Sequence, residues 1–247
     1  MAVRVAELWR YPVKSLQGER LTEVRVTADG LEGDRRFAIF DLQTGLGLTA
    51  RRVPELLFAS ATMMPDGSPR ITLPDGSIVS DDDALSDWLG RAVALRSPRT
   101  ELAPRYEDMV DFEREQSSAW RSFQGAPGPF HDSPRARISF VSTNTIGGWD
   151  RRRFRPNVLL EGEGEDRLIG RAVTCGSATV ELVHKIQRCV MVTRPQPGGV
   201  DRDLDVLRTI AVERHAQLAV GALVRQPGTM RVGDRLHVHG DSLLTSP

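Results

Sequence analysis

The chain has 247 residues, 40% hydrophobic and 27% charged, with 33 basic side chains balanced by 33 acidic ones. That length supports one large domain or two modest ones without disulfides or a structural metal, and zero net charge removes any long-range pull toward nucleic acid or an anionic membrane. Two cysteines, Cys175 and Cys189, form neither a disulfide framework nor a zinc pattern and suit a reducing compartment.

The N-terminus lacks the apolar core of a signal peptide and no window approaches the 18 apolar residues of a membrane span, so a soluble, cytoplasmic protein is expected. Val3 to Trp9 reads as a strand stopped by Tyr11-Pro12, Leu21 to Val26 as a second ending at the Asp29-Gly30 turn, and Arg36 to Phe40 as a third. Two Pro-Asp-Gly turns, at 65–67 and 74–76, bracket Arg70 to Leu73, and Ser77 to Val79 follows as the next strand of a meander. Ser80 to Leu89 has N-cap chemistry, an acidic first turn, Leu85 and Trp88 at helical spacing, and Gly90 as a stop. The polar stretch from Arg105 to Pro134 reads as a linker or long loop.

Strands are expected near 136–141, 157–160, 172–175, 178–185, 222–225 and 235–238, with helices over Leu204 to His215 and, more weakly, from about Ser142. The fold class is therefore mainly β with a few helices, an α+β chain in two β-rich parts.

Four clusters can carry chemistry. Cys189 follows an apolar strand, precedes the Pro195–Gly199 loop and has Arg188 beside it with Lys185 nearby, which would favour a thiolate. A buried, inert thiol fits the same local sequence, and Cys175, with no flanking cation, has that character more strongly. Lys14 and Ser15, in Tyr11-Pro-Val-Lys-Ser15, offer a cation, a hydroxyl and a backbone N–H suited to a phosphate or polar ring, or simply a solvated turn. In Gly33-Asp-Arg-Arg36, Arg35 and Arg36 point to opposite faces, so one at most reaches a given ligand, and a surface pair with Asp34 is the plain alternative.

The run Arg151-Arg-Arg-Phe-Arg155-Pro-Asn157 is strongly basic. With zero net charge and no aromatic sheet motif it makes a poor nucleic-acid surface, and the phosphate of a small cofactor is a better-sized target. The five histidines show no zinc spacing, and nucleophile-elbow, Walker and dinucleotide-loop motifs are absent.

In order along the chain, Trp9-Arg-Tyr-Pro-Val-Lys-Ser15, Gly30-Leu-Glu-Gly-Asp-Arg35, Leu48-Thr-Ala-Arg51, Phe154-Arg-Pro-Asn157, Gln187-Arg-Cys-Val-Met191, Leu207-Arg-Thr209 and Arg231-Val-Gly-Asp234 resemble the MOSC family, named for the C-terminal domain of molybdenum cofactor sulfurase. The resemblance implies an N-terminal β domain over 1–105, a linker or long loop over 106–134 and a MOSC β-barrel-like domain over 135–245, packed together with the cofactor between them. It implies the molybdenum cofactor (Mo-molybdopterin), with Cys189 as the protein ligand to the metal and the catalytic residue. Lys14, Ser15, Arg35, with Arg36 as the lesser choice, Ser142, Thr143, Arg155, Asn157 and Arg188 would form the cofactor's cradle.

The implied activity is two-electron oxygen-atom transfer that reduces N-hydroxylated or N-oxide small molecules, the alternative being a non-redox cofactor carrier or a persulfide sulfur carrier. Two cysteines cannot hold an iron–sulfur cluster, so electrons would come from a separate flavin or haem/iron–sulfur reductase. No nucleic-acid or membrane partner is expected. Where relatives carry a Thr-Thr-Val-Asp-like sequence after the cysteine, this chain has Met191-Val-Thr-Arg-Pro195 and lacks the carboxylate.

Overall fold

The computed structural model describes residues 3–98, 103–162 and 164–239. The outer limits of the expected domain division, residues 1 and 245, lie outside these. In the first third of the chain, β1 (Arg4–Arg10), β2 (Glu19–Leu21), β3 (Glu23–Thr27), β4 (Gly30–Leu31) and β5 (Ala38–Asp41) are followed by the hairpin of β6 (Ser60–Met63) and β7 (Pro69–Thr72), helix α1 (Asp82–Leu89) and β8 (Val93–Arg96). A second hairpin, β9 (Arg105–Met109) and β10 (Trp120–Gln124), precedes β11 (Ile138–Ser142), the short α2 (Thr143–Ile146) and β12 (Val158–Glu161). Then come β13 (Ala172–Cys175), β14 (Ala178–Gln187), α3 (Asp205–Arg214), β15 (Gln217–Gln226), β16 (Gly228–Arg231) and β17 (Leu236–Val238).

The fold is mainly β, as its composition of short apolar runs and turns leads one to expect. Eight strands form a curled half-barrel sheet in the order β17-β13-β14-β15-β11-β12-β1-β2. Every pairing is antiparallel except β11 with β12. The chain's first strand therefore sits inside a sheet otherwise made mostly from its last hundred residues, and the pairing of β1 with β12 brings the exit of β1, at Tyr11, beside Asn157. Trp9 N donates to Asn157 O at 2.8 Å, and Asn157 Nδ2 donates to Trp9 O at 3.2 Å.

Three apolar clusters hold this arrangement. One fills the half-barrel with Val5, Leu8, Phe140, Leu160, Leu182 and Val220 among others. A second joins Val13, Leu16, Ile39, Leu56, Ile71 and Leu85 under α1. The third packs α3 and the turn after Cys189 against the sheet through Val192, Leu207, Ile210 and Leu218. Burial at roughly 25 cal/mol per Å² of apolar surface makes such clusters the main favourable term in folding.

Helix α1 begins where its chemistry says it should: Asp81 caps it by accepting from Ala84 N, and Gly90 ends it in the left-handed region at φ 63°. The expected strand over Leu21 to Val26 is instead divided at Thr22, because β2 pairs with β1 while β3 pairs with β16 and β4. Helix α2 does start at Ser142, which accepts from Thr145 N, but runs only four residues before Gly147.

The stretch read as a linker or long loop contains the β9–β10 hairpin. Its signal was weak because the hairpin is held by rings and cations: Tyr106 lies 5.6 Å from Phe123, Arg52 sits 4.4 Å over Trp120, and only Tyr106 and Met109 of β9 are buried.

Gly18 locks the loop between β1 and β2. A Cβ there would meet Arg10 O at 2.1 Å and Tyr11 Cδ1 at 2.6 Å, both in rigid surroundings. Gly18→Ala is expected to destabilise the protein by about 3 kcal/mol through this overlap, seen as a lower urea midpoint with an unchanged m-value.

Candidate functional site

A cavity of about 180 Å³ opens where the turn after β1, the turn before β5, residues 131–133, the entries to β11 and β12, and the end of β14 converge. Lys14, Ser15, Arg35, Arg155, Asn157 and Arg188, drawn from four separate motifs, all line it. Among the described residues its wall carries six cations, these four plus Arg51 and Arg137, against the single carboxylate of Asp132. Ala136, Ile138, Phe154, Ile186 and Met191 supply an apolar portion.

Three lining residues that are not glycine hold left-handed backbone: Ser15 at φ 70°, Arg35 at 50° and Arg155 at 51°. Such conformations cost of order 1 kcal/mol or more each and collect at functional sites. The surrounding structure fixes them. Arg35 N donates to Tyr11 O at 2.7 Å, Lys14 N to Phe37 O at 2.8 Å and Ala50 N to Ser15 Oγ at 3.0 Å. Asp34, 3% exposed, accepts from Tyr11 N and pairs with Arg35. It is thus the buried anchor of that turn rather than a surface partner.

Asn157 is a junction. Its Oδ1 accepts from Ser139 N and Oγ at 3.1 and 3.0 Å, and it lies 3.5 Å from Arg35 Nη1. With Nδ2 on Trp9 O, its amide is spent tying β1, β11 and Arg35 together.

The cations are not all balanced within the protein. Arg155 lies 4.2 Å over the Tyr11 ring and is 5% exposed, and its Nη1 has no partner. Arg188 donates from Nε to Leu218 O at 2.8 Å and from Nη1 to Phe154 O at 3.3 Å, while Nη2 is buried without a partner. Burial pulls both guanidinium pKa values down to about 10, Arg35 adding to the effect at each. Buried, unsatisfied guanidinium donors are costly, and both side chains line the cavity.

His131 is buried with Nε2 unpartnered, and burial followed by the Arg35, Arg137 and Lys14 charges holds its pKa well below the usual imidazole value. The ring is neutral near pH 7.

Lys14 donates to Phe130 O at 2.9 Å and Asp132 Oδ1 at 2.5 Å. Burial lowers its pKa to about 8, against the pull of Asp132. An unfolded lysine keeps its proton to about 10.5, so between pH 8 and 10.5 the unfolded chain binds a proton that the folded chain has released. Stability then rises with pH through that window and is lost again as pH falls toward 8. Relative to Lys14→Met, the wild-type protein is expected to gain up to about 3 kcal/mol from pH 8 to 10.5, measured by urea unfolding at several pH values. A flat difference would mean that Lys14 does not carry this proton.

Cys189 does not itself line the cavity. It lies half-buried beside it, between the lining residues Arg188 and Met191, and its Sγ accepts from Arg51 Nε at 3.3 Å. Lys185, expected nearby, pairs instead with Asp166 at 3.0 Å. Cys175 is fully buried among Val173, Val180 and their neighbours, and burial pushes its thiol up to about 12.

Arg36 is exposed and off the cavity. Ser142 and Thr143 are off it too: the first is fully buried as the cap of α2, and the second bonds both backbone groups of Gly162. The rest of the basic run is structural. Arg151 stacks 3.5 Å over Trp9 and pairs with Glu7, Arg152 pairs with Asp150, and Arg153 donates to the carbonyls of Val192, Arg194 and Asp201.

Arg51, His131, Asp132 and Ser139 are lining residues to which sequence reasoning gave no role. Arg51 stood in a quoted motif, whereas His131 and Asp132 lay in the presumed linker, where nothing marked them.

The chain matches the MOSC N-terminal beta barrel domain over residues 2–94 and the MOSC domain over residues 127–237. It belongs to the MOSC family. Among curated relatives, mitochondrial amidoxime-reducing component 1 of Mus musculus is 25% identical, over 96% of this chain and 82% of its own length. Mitochondrial amidoxime reducing component 2 of Homo sapiens is 25% identical, over 94% and 82%. The solved structure of the YUAD protein from Bacillus subtilis aligns over 97% of both chains at 12% identity with a TM-score of 0.45. The MOSC match includes every lining residue from His131 to Met191, and the β9–β10 hairpin falls between the two matched domains. Among the described residues no helix is long and apolar enough to cross a membrane.

Proposed function

We propose that this MOSC protein is a molybdenum-cofactor-dependent oxidoreductase that reduces N-hydroxylated or N-oxide compounds, taking electrons from a separate protein. The observation that carries this reading is the cavity's six-to-one excess of cations in a chain of zero net charge, with the guanidinium atoms Arg155 Nη1 and Arg188 Nη2 buried and unpartnered. Such a wall suits the phosphate and polar ring of a pterin cofactor. No three of His, Cys, Asp and Glu converge among the described residues. A metal beside Cys189 would therefore bring most of its own ligands, as a dithiolene-bound metal does. Similarity to amidoxime-reducing components over nearly the whole chain supports the substrate class.

In this reading Lys14, Arg155 and Arg188 hold the anionic end of the cofactor, and Cys189 Sγ provides one soft donor to the metal. When bound, the cofactor supplies two-electron oxygen-atom transfer. Arg35, fixed by Asp34 and Asn157, sets the edge of the pocket, and Ile138, Ile186 and Met191 keep water from one side of it. His131, neutral, offers its unpartnered Nε2 to a polar group. With Cys175 in the core, the chain's two cysteines cannot ligate an iron–sulfur cluster, so we assign electron supply to a flavin, haem or iron–sulfur reductase.

Protein made in a host that synthesises the cofactor is expected to carry close to one molybdenum per chain by elemental analysis and to reduce an amidoxime when given a reduced donor protein. Metal without turnover would favour a cofactor carrier, and absence of metal would overturn both the oxidoreductase and the cofactor-carrier readings, leaving the persulfide carrier.

A further inference from the structure

The sulfur of Cys189 has one neighbour whose role is unassigned. Arg51 is 8% exposed, and protein grips its guanidinium on several sides. Nη2 donates to Asp132 Oδ2 at 2.6 Å, Nε lies 3.5 Å from Asp108 Oδ1 as well as 3.3 Å from the sulfur, and the group sits 5.3 Å from the Phe123 ring centroid. The backbone is held too: Arg51 O accepts from Arg194 Nη2 at 2.6 Å, and Arg194 pairs with Glu115 at 2.5 Å. Asp108, Glu115 and Phe123 all come from the β9–β10 hairpin and its connecting loop. The same Asp132 takes Lys14 on its other oxygen, so one carboxylate links the cation that faces the cavity to the cation that faces the sulfur. Arg194 also occupies the region where the sequence lacks the family's carboxylate; its Nη2 serves both Arg51 O and Glu115, while Nε is buried without a partner.

We propose that Arg51 is a positioning residue for Cys189, its planar fork divided between Sγ and Asp132 so that the sulfur is held at one point beside the cavity and carries a charged N–H donor. A lysine is a compact point charge without a planar fork and cannot make both contacts in this geometry. Hydrogen bonds to a ligand sulfur tune the metal it binds, and removing such support typically costs 10- to 100-fold in affinity or activity. The consequence for the metal rests on the proposed function, whereas the Arg51–Cys189 contact does not.

Two experiments separate these. In metal-free protein, the side-chain Nε–H resonance of Arg51, identified by its loss in Arg51→Lys, is expected to shift in Cys189→Ala and to stay in place in Cys175→Ala. A resonance indifferent to Cys189→Ala overturns the proposal whether or not the protein ever binds molybdenum. In protein loaded with molybdenum, Arg51→Met and Arg51→Lys are expected to displace the sulfur-to-metal charge-transfer absorption and to slow single-turnover amidoxime reduction about 10- to 100-fold. Arg52→Met, which removes a neighbouring cation stacked on Trp120, should leave the absorption unmoved. An unchanged band in metal-retaining Arg51→Met also overturns the proposal, and wild-type protein without metal refutes the cofactor reading while leaving the resonance experiment to decide this one.

Discussion

Cys189→Ala is expected to reduce bound molybdenum and amidoxime turnover to background while the protein stays folded. Cys189 heads the 190–193 turn without using its side chain as a cap, and its sulfur is half-buried beside a polar cavity. Losing it removes one hydrogen bond from Arg51 and little packing, so the stability cost should be within about 1 kcal/mol, a shift of roughly 2–4 °C in Tm at this chain length. Cys175→Ala should behave oppositely. That side chain is fully buried in the half-barrel core, so its truncation leaves a small cavity and costs about 1–2 kcal/mol with metal retained. Elemental analysis and thermal unfolding of both variants give the comparison, and stoichiometric molybdenum in Cys189→Ala would remove the metal-ligand assignment.

What could be read in the sequence depended on whether a residue's role is local. Turn and cap chemistry is local, so the Ser80–Asp83 cluster and Gly90 bounded α1, with Asp81 the cap the structure selects, and Ser142 marked the start of α2 correctly although not its four-residue length. Pairing is not local. The apolar beat slips by one residue at Thr22, from Leu21 to Val24 and Val26, but nothing nearby announces that β2 and β3 join different sheets, because the partners, β1 and β16, lie at opposite ends of the chain. The β9–β10 hairpin escaped for a related reason: ring and cation contacts with Lys14, Arg51 and Arg52 stabilise it, and an apolar period cannot register these. At the cavity, the motifs that carry Lys14, Arg35, Arg155 and Arg188 were visible as dense, unusual sequences. Arg51 and Asp132 become meaningful only through each other and through Cys189, 138 positions from Arg51.

Arg155→Met is expected to move stability and cofactor retention in opposite directions. Methionine keeps much of the apolar length that lies against Tyr11 and deletes a charge for which the metal-free protein supplies no partner at Nη1. Removing a buried, unsatisfied charged donor should leave metal-free protein as stable as wild type or more stable by about 1 kcal/mol. Retention of the anionic cofactor should meanwhile weaken by at least about 2 kcal/mol, roughly thirtyfold. Arg153, two positions earlier in the same basic run, makes the contrast. Its guanidinium donates to Val192 O at 3.2 Å, Arg194 O at 3.1 Å and Asp201 O at 2.7 Å, closing the loop that follows Cys189. Arg153→Met removes the donor to Val192 O and Asp201 O and leaves Arg194 O only the 3.5 Å bond from Gln196 Nε2, and should cost about 3 kcal/mol in metal-free protein. Urea unfolding of the two metal-free variants, with dialysis of loaded protein followed by elemental analysis, distinguishes a cation kept for a ligand from one kept for the fold. If Arg155→Met destabilises metal-free protein as much as Arg153→Met does, Arg155 is a structural cation and the cavity loses its strongest claim to an anion.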